Sequence, residues 1–200
     1  MSLHLLKSSL LSRTAVLFSS VVFCLCACAG LRAQPETKAP GSAAEAKQKL
    51  APLFLKQSEL RKEKNWVQLE VVERQIVELA RVGHGRESAA VSQFMVRLAT
   101  TLLQQEKFGE AEQLMRESLA MRQKLYPAGS WEIANVQIAL GEILLAAKKF
   151  AEAEAILLSA YAAVNMPNPD SHEISNLKNT TKLLATLYQA TDQPTKAADW

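Results

Sequence analysis

Apolar residues along this chain recur at intervals of three and four, the spacing that puts one stripe on an α-helix. Ile133, Val136, Leu140, Ile143 and Leu144 form one such stripe. Phe150, Ala153, Ile156, Leu157, Ala160 and Tyr161 form the next, and Pro167 and Pro169 end it. An earlier pair repeats the plan. Val91, Phe94, Met95, Leu98 and Leu102 are followed by Phe108, Ala111, Leu114, Met115 and Leu119, with a stop near Pro127-Ala128-Gly129. Leu50, Leu53, Phe54 and Leu60 predict one further helix. Leu69, Val72, Ile76 and Leu79 predict another from Trp66 to Arg81.

The stripes are copies of one another. Phe108-Gly-Glu-Ala-Glu and Phe150-Ala-Glu-Ala-Glu lie 42 residues apart, and Trp66 stands 42 before the first. Leu98-Ala99 and Leu140-Gly141 keep the same spacing, and Leu184-Ala185 follows at 44. Leu102, Leu144 and Tyr188 each come four residues after the leading Leu, and Ala111, Ala153 and Ala197 each come thirteen after it. In-register copies at this period are the mark of stacked supersecondary units.

These residues resemble tetratricopeptide repeats, which read Leu-Gly-x-x-Tyr on the first helix of a hairpin and Ala-x-x-x-Phe on the second. Here the first-helix pattern is Leu98-Ala99-x-x-Leu102, Leu140-Gly141-x-x-Leu144 and Leu184-Ala185-x-x-Tyr188. The second-helix pattern is Ala111-x-x-x-Met115 and Ala153-x-x-x-Leu157. The 42-residue period resembles the longer repeats of kinesin light chains. The resemblance implies an all-α fold, an α-solenoid of stacked antiparallel helical hairpins. Residues 88–200 carry it, as copies 88–129, 130–169 and an incomplete 170–200. Residues 43–87 depart from it, since Lys56 stands where the pattern has Leu and Leu69 where it has Ala. That stretch reads as a degenerate capping hairpin. In the last copy the second helix begins near Thr195 and the sequence stops at Trp200, leaving an open repeat end.

Before the repeats, residues 1–33 have the plan of an export leader. Lys7 and Arg13 precede an uncharged run from Thr14 to Leu31, and small residues follow. A membrane anchor is the other reading of that run. Leu25-Cys26-Ala27-Cys28 resembles a bacterial lipoprotein signal, which makes Cys28 a candidate for lipidation. The alternative is a cysteine packed as a small hydrophobe. Gln34–Ser42 is polar, with two prolines and a glycine, and reads as a tether over 34–42. The expected location is therefore outside the cytoplasm, periplasmic or membrane-anchored, with membrane contact only through the leader or a lipid.

Charge narrows the function. Of 23 basic residues, Lys7, Arg13 and Arg32 precede Gln34 and no acid does, so the remaining 20 balance 20 acids. A neutral body gives no reason to expect nucleic acid. All three cysteines lie in the leader. His84 and His172 sit in turns, with no ligand cluster around them, so no metal and no cofactor is expected. Glu-Ala-Glu at 110–112 and 152–154 puts carboxylates on different helix faces, as solvated charges near a helix start. No nucleophile, base or phosphate-loop pattern is present, so the chain reads as a binding protein and not an enzyme.

In tetratricopeptide proteins, ligand peptides lie on a concave face lined by first helices. Carried over from the leading Leu, the groove positions are Gln93, Val96, Thr100, Leu103 and Gln104 in the first good copy. They are Asn135, Ile138, Glu142, Leu145 and Ala146 in the next, and Asn179, Lys182, Thr186, Gln189 and Ala190 in the last. Asn135 and Asn179 hold matching positions, and an amide both donates and accepts. The resemblance thus implies a scaffold for a protein or peptide partner. The alternative is a structural or regulatory subunit that assembles, with itself or another chain, through its open repeat end.

Overall fold

The computed structural model describes residues 42–165 and 171–200; the leader with Cys28, and the tether up to residue 41, lie outside them. The described residues form helices α1 (Ala43–Lys62), α2 (Trp66–His84), α3 (Ala89–Leu103), α4 (Phe108–Leu125), α5 (Trp131–Ala146), α6 (Phe150–Val164), α7 (Ser171–Ala190) and α8 (Pro194–Ala198). Consecutive helices pair as antiparallel hairpins, and each hairpin packs on the next.

Local chemistry starts several of them. Ser42 Oγ accepts from the Glu45 amide at 3.3 Å while the Glu45 carboxylate accepts from the Ser42 amide at 3.2 Å, a reciprocal cap. Asn65 and Ser88 cap α2 and α3 by accepting from Gln68 and Val91.

The elbow of every hairpin has the same geometry. Lys64, Glu106, Lys148 and Asp192 adopt φ of 55°, 59°, 59° and 55°, the left-handed region. The residue after each donates its amide five residues back: Asn65 to Leu60, Lys107 to Leu102, Lys149 to Leu144 and Gln193 to Tyr188, at 2.8–3.0 Å. This is the six-to-one closure that satisfies the carbonyls at a helix end. The four elbows show that residues 43–84 are a full repeat in backbone terms. Its departures are side-chain departures. Lys56 is exposed where Leu98 and Leu140 are buried, and buried Gln57 stands where Ala99 and Gly141 do.

Within a hairpin, a small residue on the first helix lets the second approach. Gly141 lies against Leu157, so that a Cβ built at Gly141 would fall 2.5–2.6 Å from the Leu157 side chain. The matching pair one repeat earlier is Ala99 and Met115, both fully buried. An unbranched Met accommodates the methyl that Leu157 would not. The main core runs from Val77 to Tyr188. A second cluster of Leu50, Leu60, Leu69, Val72 and Ile76 fills the first hairpin, and Phe94 packs against both.

Between hairpins, the second helices are tied by charge. Glu70 binds Arg74 at 2.8 Å and Lys107 at 2.7 Å, and Arg74 reaches Glu110 at 2.6 Å. One repeat later Glu112 binds Arg116 and Lys149, and Arg116 reaches Glu152. The sequence reading took the Glu-Ala-Glu carboxylates for solvated charges; Glu112 instead has a side chain only 13% exposed, held by two cations. The ladder stops at the next step. Leu158 stands where Arg74 and Arg116 stood, and Glu154 accepts from the Tyr188 hydroxyl at 2.8 Å. Burial and that bond push the Tyr188 phenol up to about 12. The last second helix is as short as expected. Trp200 beyond it packs edge-on to Tyr161, with ring centroids 4.7 Å apart.

Two outcomes follow. Gly141→Ala is expected to cost about 1–3 kcal/mol through overpacking. Adding Leu157→Met, which copies the preceding repeat, should recover most of the loss in thermal unfolding; a double variant no better than the single would refute the close-approach argument. The second concerns acid. Burial raises the Glu70 carboxyl, but hydrogen bonds from Lys107, Arg74 and Gln105 outweigh it and hold it at about 2 against an ordinary 4.5. A carboxylate depressed in the folded state stabilises fully above its unfolded value and loses that contribution as pH falls through the folded one. The wild type should therefore lose roughly 1–3 kcal/mol from this group between about pH 5 and pH 2, discounted for the half-exposed cations. Glu70→Gln should be less stable at pH 7 and should flatten that part of the profile, as measured by denaturant titration at several pH values.

Candidate functional site

The two layers of the stack pack unequally. First helix α5 touches both α3 and α7, whereas the backbones of α2, α4 and α6 do not approach one another. First helices α3, α5 and α7 therefore form one layer, and second helices the other, which carries the charge ladder.

Most of the groove positions read from sequence are accessible there. Thr100, Gln104, Glu142, Ala146, Asn179, Lys182, Thr186, Gln189 and Ala190 are exposed, and Gln93, Val96, Leu103, Asn135 and Leu145 are half-buried. Ile138 is the correction. It is only 3% exposed and belongs to the apolar core, so its side chain is not open to a ligand. Its neighbour in the stack explains this, because α5 is covered by both α3 and α7.

Hydrogen bonding sorts the accessible polar groups. Thr100 donates its hydroxyl to the Val96 carbonyl at 2.9 Å and Thr186 to that of Lys182 at 2.8 Å, so both hydroxyl protons are occupied within their own helices. The carboxamides differ. Gln93, Asn135 and Asn179 hold the same position, five residues before Leu98, Leu140 and Leu184, on three successive first helices. Gln93 accepts from Arg122 Nη2 at 3.1 Å through its carbonyl, whereas no described residue bonds the Asn135 or Asn179 side chain.

Sequence reasoning missed the contribution of α1. Arg61 on α1 and Arg97 on α3 meet around a buried acid from α2. Glu73, 1% exposed, accepts from Gln57 Nε2 at 2.8 Å and from Arg61 Nη2 at 2.7 Å through the same oxygen. The Gln57 carbonyl faces Arg97 at 3.4 Å, and Arg97 lies over the Phe94 ring at 5.9 Å. Phe94 in turn stacks on Phe54 at 5.5 Å. Glu73 Oε2 is buried and has no hydrogen-bond partner. Beside this network lies a cavity of about 200 Å³ lined by Arg61, Trp66, Thr100, Thr101 and Gln104. Thr100 and Gln104 were legible as groove positions; Arg61 was not, because the first hairpin was read as a degenerate cap and no groove positions were carried onto it.

Among the described residues no group of three or more His, Cys, Asp or Glu is placed to hold a metal ion. His84 is exposed at the end of α2, and the side chain of His172 lies outside the described residues. No described helix is long and apolar enough to cross a membrane.

Paired helices, a 42-residue period and small residues at the close contacts point to one architecture. The fold is a tetratricopeptide-like helical solenoid. Residues 91–166, spanning α3 to α6, match the tetratricopeptide repeat family. Among solved structures, the solenoid is similar to BtubC (BKLC) from P. vanneervenii, at 21% identity and a TM-score of 0.65. That match covers 74% of this chain and 58% of the other, so the chain spans little more than half of BtubC. It is also similar to a Podosopora anserina protein with nearly identical TPR-like repeats of kinesin light chain type, at 18% identity and a TM-score of 0.62. There the match covers 76% of this chain and 71% of that one. No curated protein matches the chain. At these identities the structural likeness speaks for the fold alone.

The Glu73 cluster yields a third outcome. Glu73→Met should leave the Gln57 amide buried without its acceptor and cost about 1–3 kcal/mol. Glu73→Met with Gln57→Leu removes both partners and should recover much of that loss in denaturant unfolding; equal instability of the two variants would count against a buried polar network.

Proposed function

We propose that this chain is an exported, non-catalytic scaffold whose concave face holds an extended segment of a partner protein. The observation that carries the reading is the matched pair of carboxamides at Asn135 and Asn179, preceded at the same position by the N–H groups of Gln93. A carboxamide offers both a donor and an acceptor, as a peptide unit does, so such a pair suits an extended backbone. Packed helices stand 8–10 Å apart, about three residues of extended chain, so each repeat would meet every third residue of the bound segment. Val96, Leu103 and Leu145, half-buried between the amides, offer apolar contacts. At the α1 end, Arg61, paired with Glu73, lines the 200 Å³ cavity, and Arg97 bonds Gln57 beside that pair. Export rests on the leader sequence, with Cys28 as the candidate anchor, and tetratricopeptide repeats in general mediate protein–protein contact.

The test is in-cell cross-linking of the full-length chain beside an Asn135→Ala/Asn179→Ala variant. Loss of two hydrogen-bonding groups should lower recovery of a wild-type partner about tenfold. Undiminished recovery of the same partner would sink the groove reading. Recovery of the chain alone would shift attention to self-assembly through α7 and α8.

A further inference from the structure

The second helix α4 carries a charge in a place where the next repeat carries none. Arg122 is 4% exposed, and its hydrogen-bond partners are all neutral. Its Nε donates to Ser92 Oγ at 2.7 Å, and its Nη2 donates to Gln93 Oε1 at 3.1 Å. Ser118 donates to the Ser92 carbonyl at 3.2 Å, which leaves the Ser92 hydroxyl to donate to Ser118 Oγ at 2.8 Å. The Tyr126 ring lies 5.5 Å from the guanidinium carbon. No described carboxylate pairs with it, and Glu87, at the start of the same repeat, is held by Lys124.

One repeat on, Ser92, Ser118 and Arg122 correspond to Ala134, Ala160 and Val164, all fully buried. The hairpin therefore closes equally well around an apolar triad. Replacing a buried ionic network by packed apolar groups is often neutral or stabilising. Stability thus gives no reason for a guanidinium here, and a buried charge without a counter-ion is costly. The charge does have a consequence for the groove. Arginine only donates, so the Gln93 carbonyl must face Arg122, and the Gln93 NH₂ must point away from it. That NH₂ makes no hydrogen bond to any described residue and is not among the buried unpartnered atoms. Gln93 is thereby converted from a two-way amide into a fixed donor with a full positive charge behind it. Asn135, at the matching position one repeat on, has no such support, because Val164 stands where Arg122 does.

We propose that Gln93, backed by Arg122, is a subsite for a carboxylate of the bound segment. The Gln93 N–H groups contact the carboxylate, and Arg122 is a positioning residue that orients the amide and supplies the compensating charge. This rests on the groove reading above, and it assigns one point of that groove a specific chemistry.

The test needs no partner. The full-length chain in a non-ionic detergent is titrated with sodium acetate, and with sodium chloride at matched ionic strength, while the Gln93 side-chain NH₂ and Arg122 Nε–H signals are followed by ¹H–¹⁵N NMR. Two variants accompany it. Ser92→Ala/Ser118→Ala/Arg122→Val copies the next repeat and should unfold at the same or a higher temperature. Gln93→Leu keeps the buried charge and removes the donor; its Arg122 signal is followed. The wild type is expected to show a saturable response to acetate beyond that to chloride, weakened about tenfold or more in each variant. In the triple variant the Gln93 signal reports this. A wild-type response no different from chloride overturns the subsite, as does an equal acetate response in the variants. If the triple variant does not fold, Gln93→Leu decides alone: a retained response overturns the proposal and a lost one supports it. Failure here leaves the groove reading standing, because the cross-linking test does not depend on acetate.

Discussion

The elbow residue in the left-handed conformation is the constraint on which the rest of the solenoid depends. A helix that ended without it would leave carbonyls unsatisfied and let the chain depart at any angle. With it, the amide of the following residue returns to Leu60, Leu102, Leu144 or Tyr188, and each second helix leaves at one direction relative to its first. None of the four elbow residues is glycine, so each stores of order 1 kcal/mol of backbone strain, offset by the buried faces it brings together. Because the angle is set locally, the same hairpin is inherited by every repeat, and the two layers follow from the turn before they follow from any surface residue.

Given that frame, side chains at equivalent positions are free to differ, and their differences show what each repeat does. The small residue at the close contact stays small, Ala99 or Gly141, but its partner changes shape to suit. On the outer face the same carboxylate–cation arrangement recurs at Glu70 and Glu112. It gives way at Glu154, where Leu158 removes the arginine and Tyr188 supplies a hydroxyl. Exposed ion pairs of this kind add little each. Glu70 and Glu112 matter more because they are mostly buried and each is held by two cations. Burial and the bonds from Lys107, Arg74 and Gln105 act on Glu70 in opposite senses, and the bonds prevail.

Fold class and repeat register were legible in the sequence because they rest on apolar periodicity and on small residues, which one chain displays directly. The start of α2 at Trp66 was legible for the same reason, while the end of that helix, read at Arg81, falls at His84. The first hairpin was harder. Its pattern of Lys56 and Leu69 violates the repeat in side chains while obeying it in backbone, and a motif comparison sees only side chains. The groove was half legible. Position carried over from the leading Leu found Gln93, Asn135 and Asn179, but could not see that Ile138 is roofed by flanking helices. Nor could it see that Thr100 and Thr186 turn their hydroxyls back on their own carbonyls. Glu112 shows the same limit, since its burial depends on Arg116 and on Lys149 from the next hairpin's elbow.

Two buried charges behind the groove were beyond sequence reasoning altogether, and they bear most directly on specificity. Glu73 and Arg122 both sit on second helices, and both reach first-helix amides, Gln57 buried and Gln93 half-buried. Each fixes the sense of an amide, but with opposite sign. The acid takes the Gln57 NH₂ and leaves its carbonyl for Arg97, while the cation takes the Gln93 carbonyl and leaves its NH₂ for solvent. An amide whose orientation is free can read a peptide backbone but cannot discriminate charge. An amide fixed by a buried ion can, because the ion remains poorly screened where it lies. The third repeat, with Val164 at the place of Arg122, has lost that device and retains only the generic amides. With Gln93 as the carboxylate subsite proposed above, the face would be graded, from a charge-reading amide on α3 to a generic one on α5. A segment bound along it would have its polarity set by the same gradient.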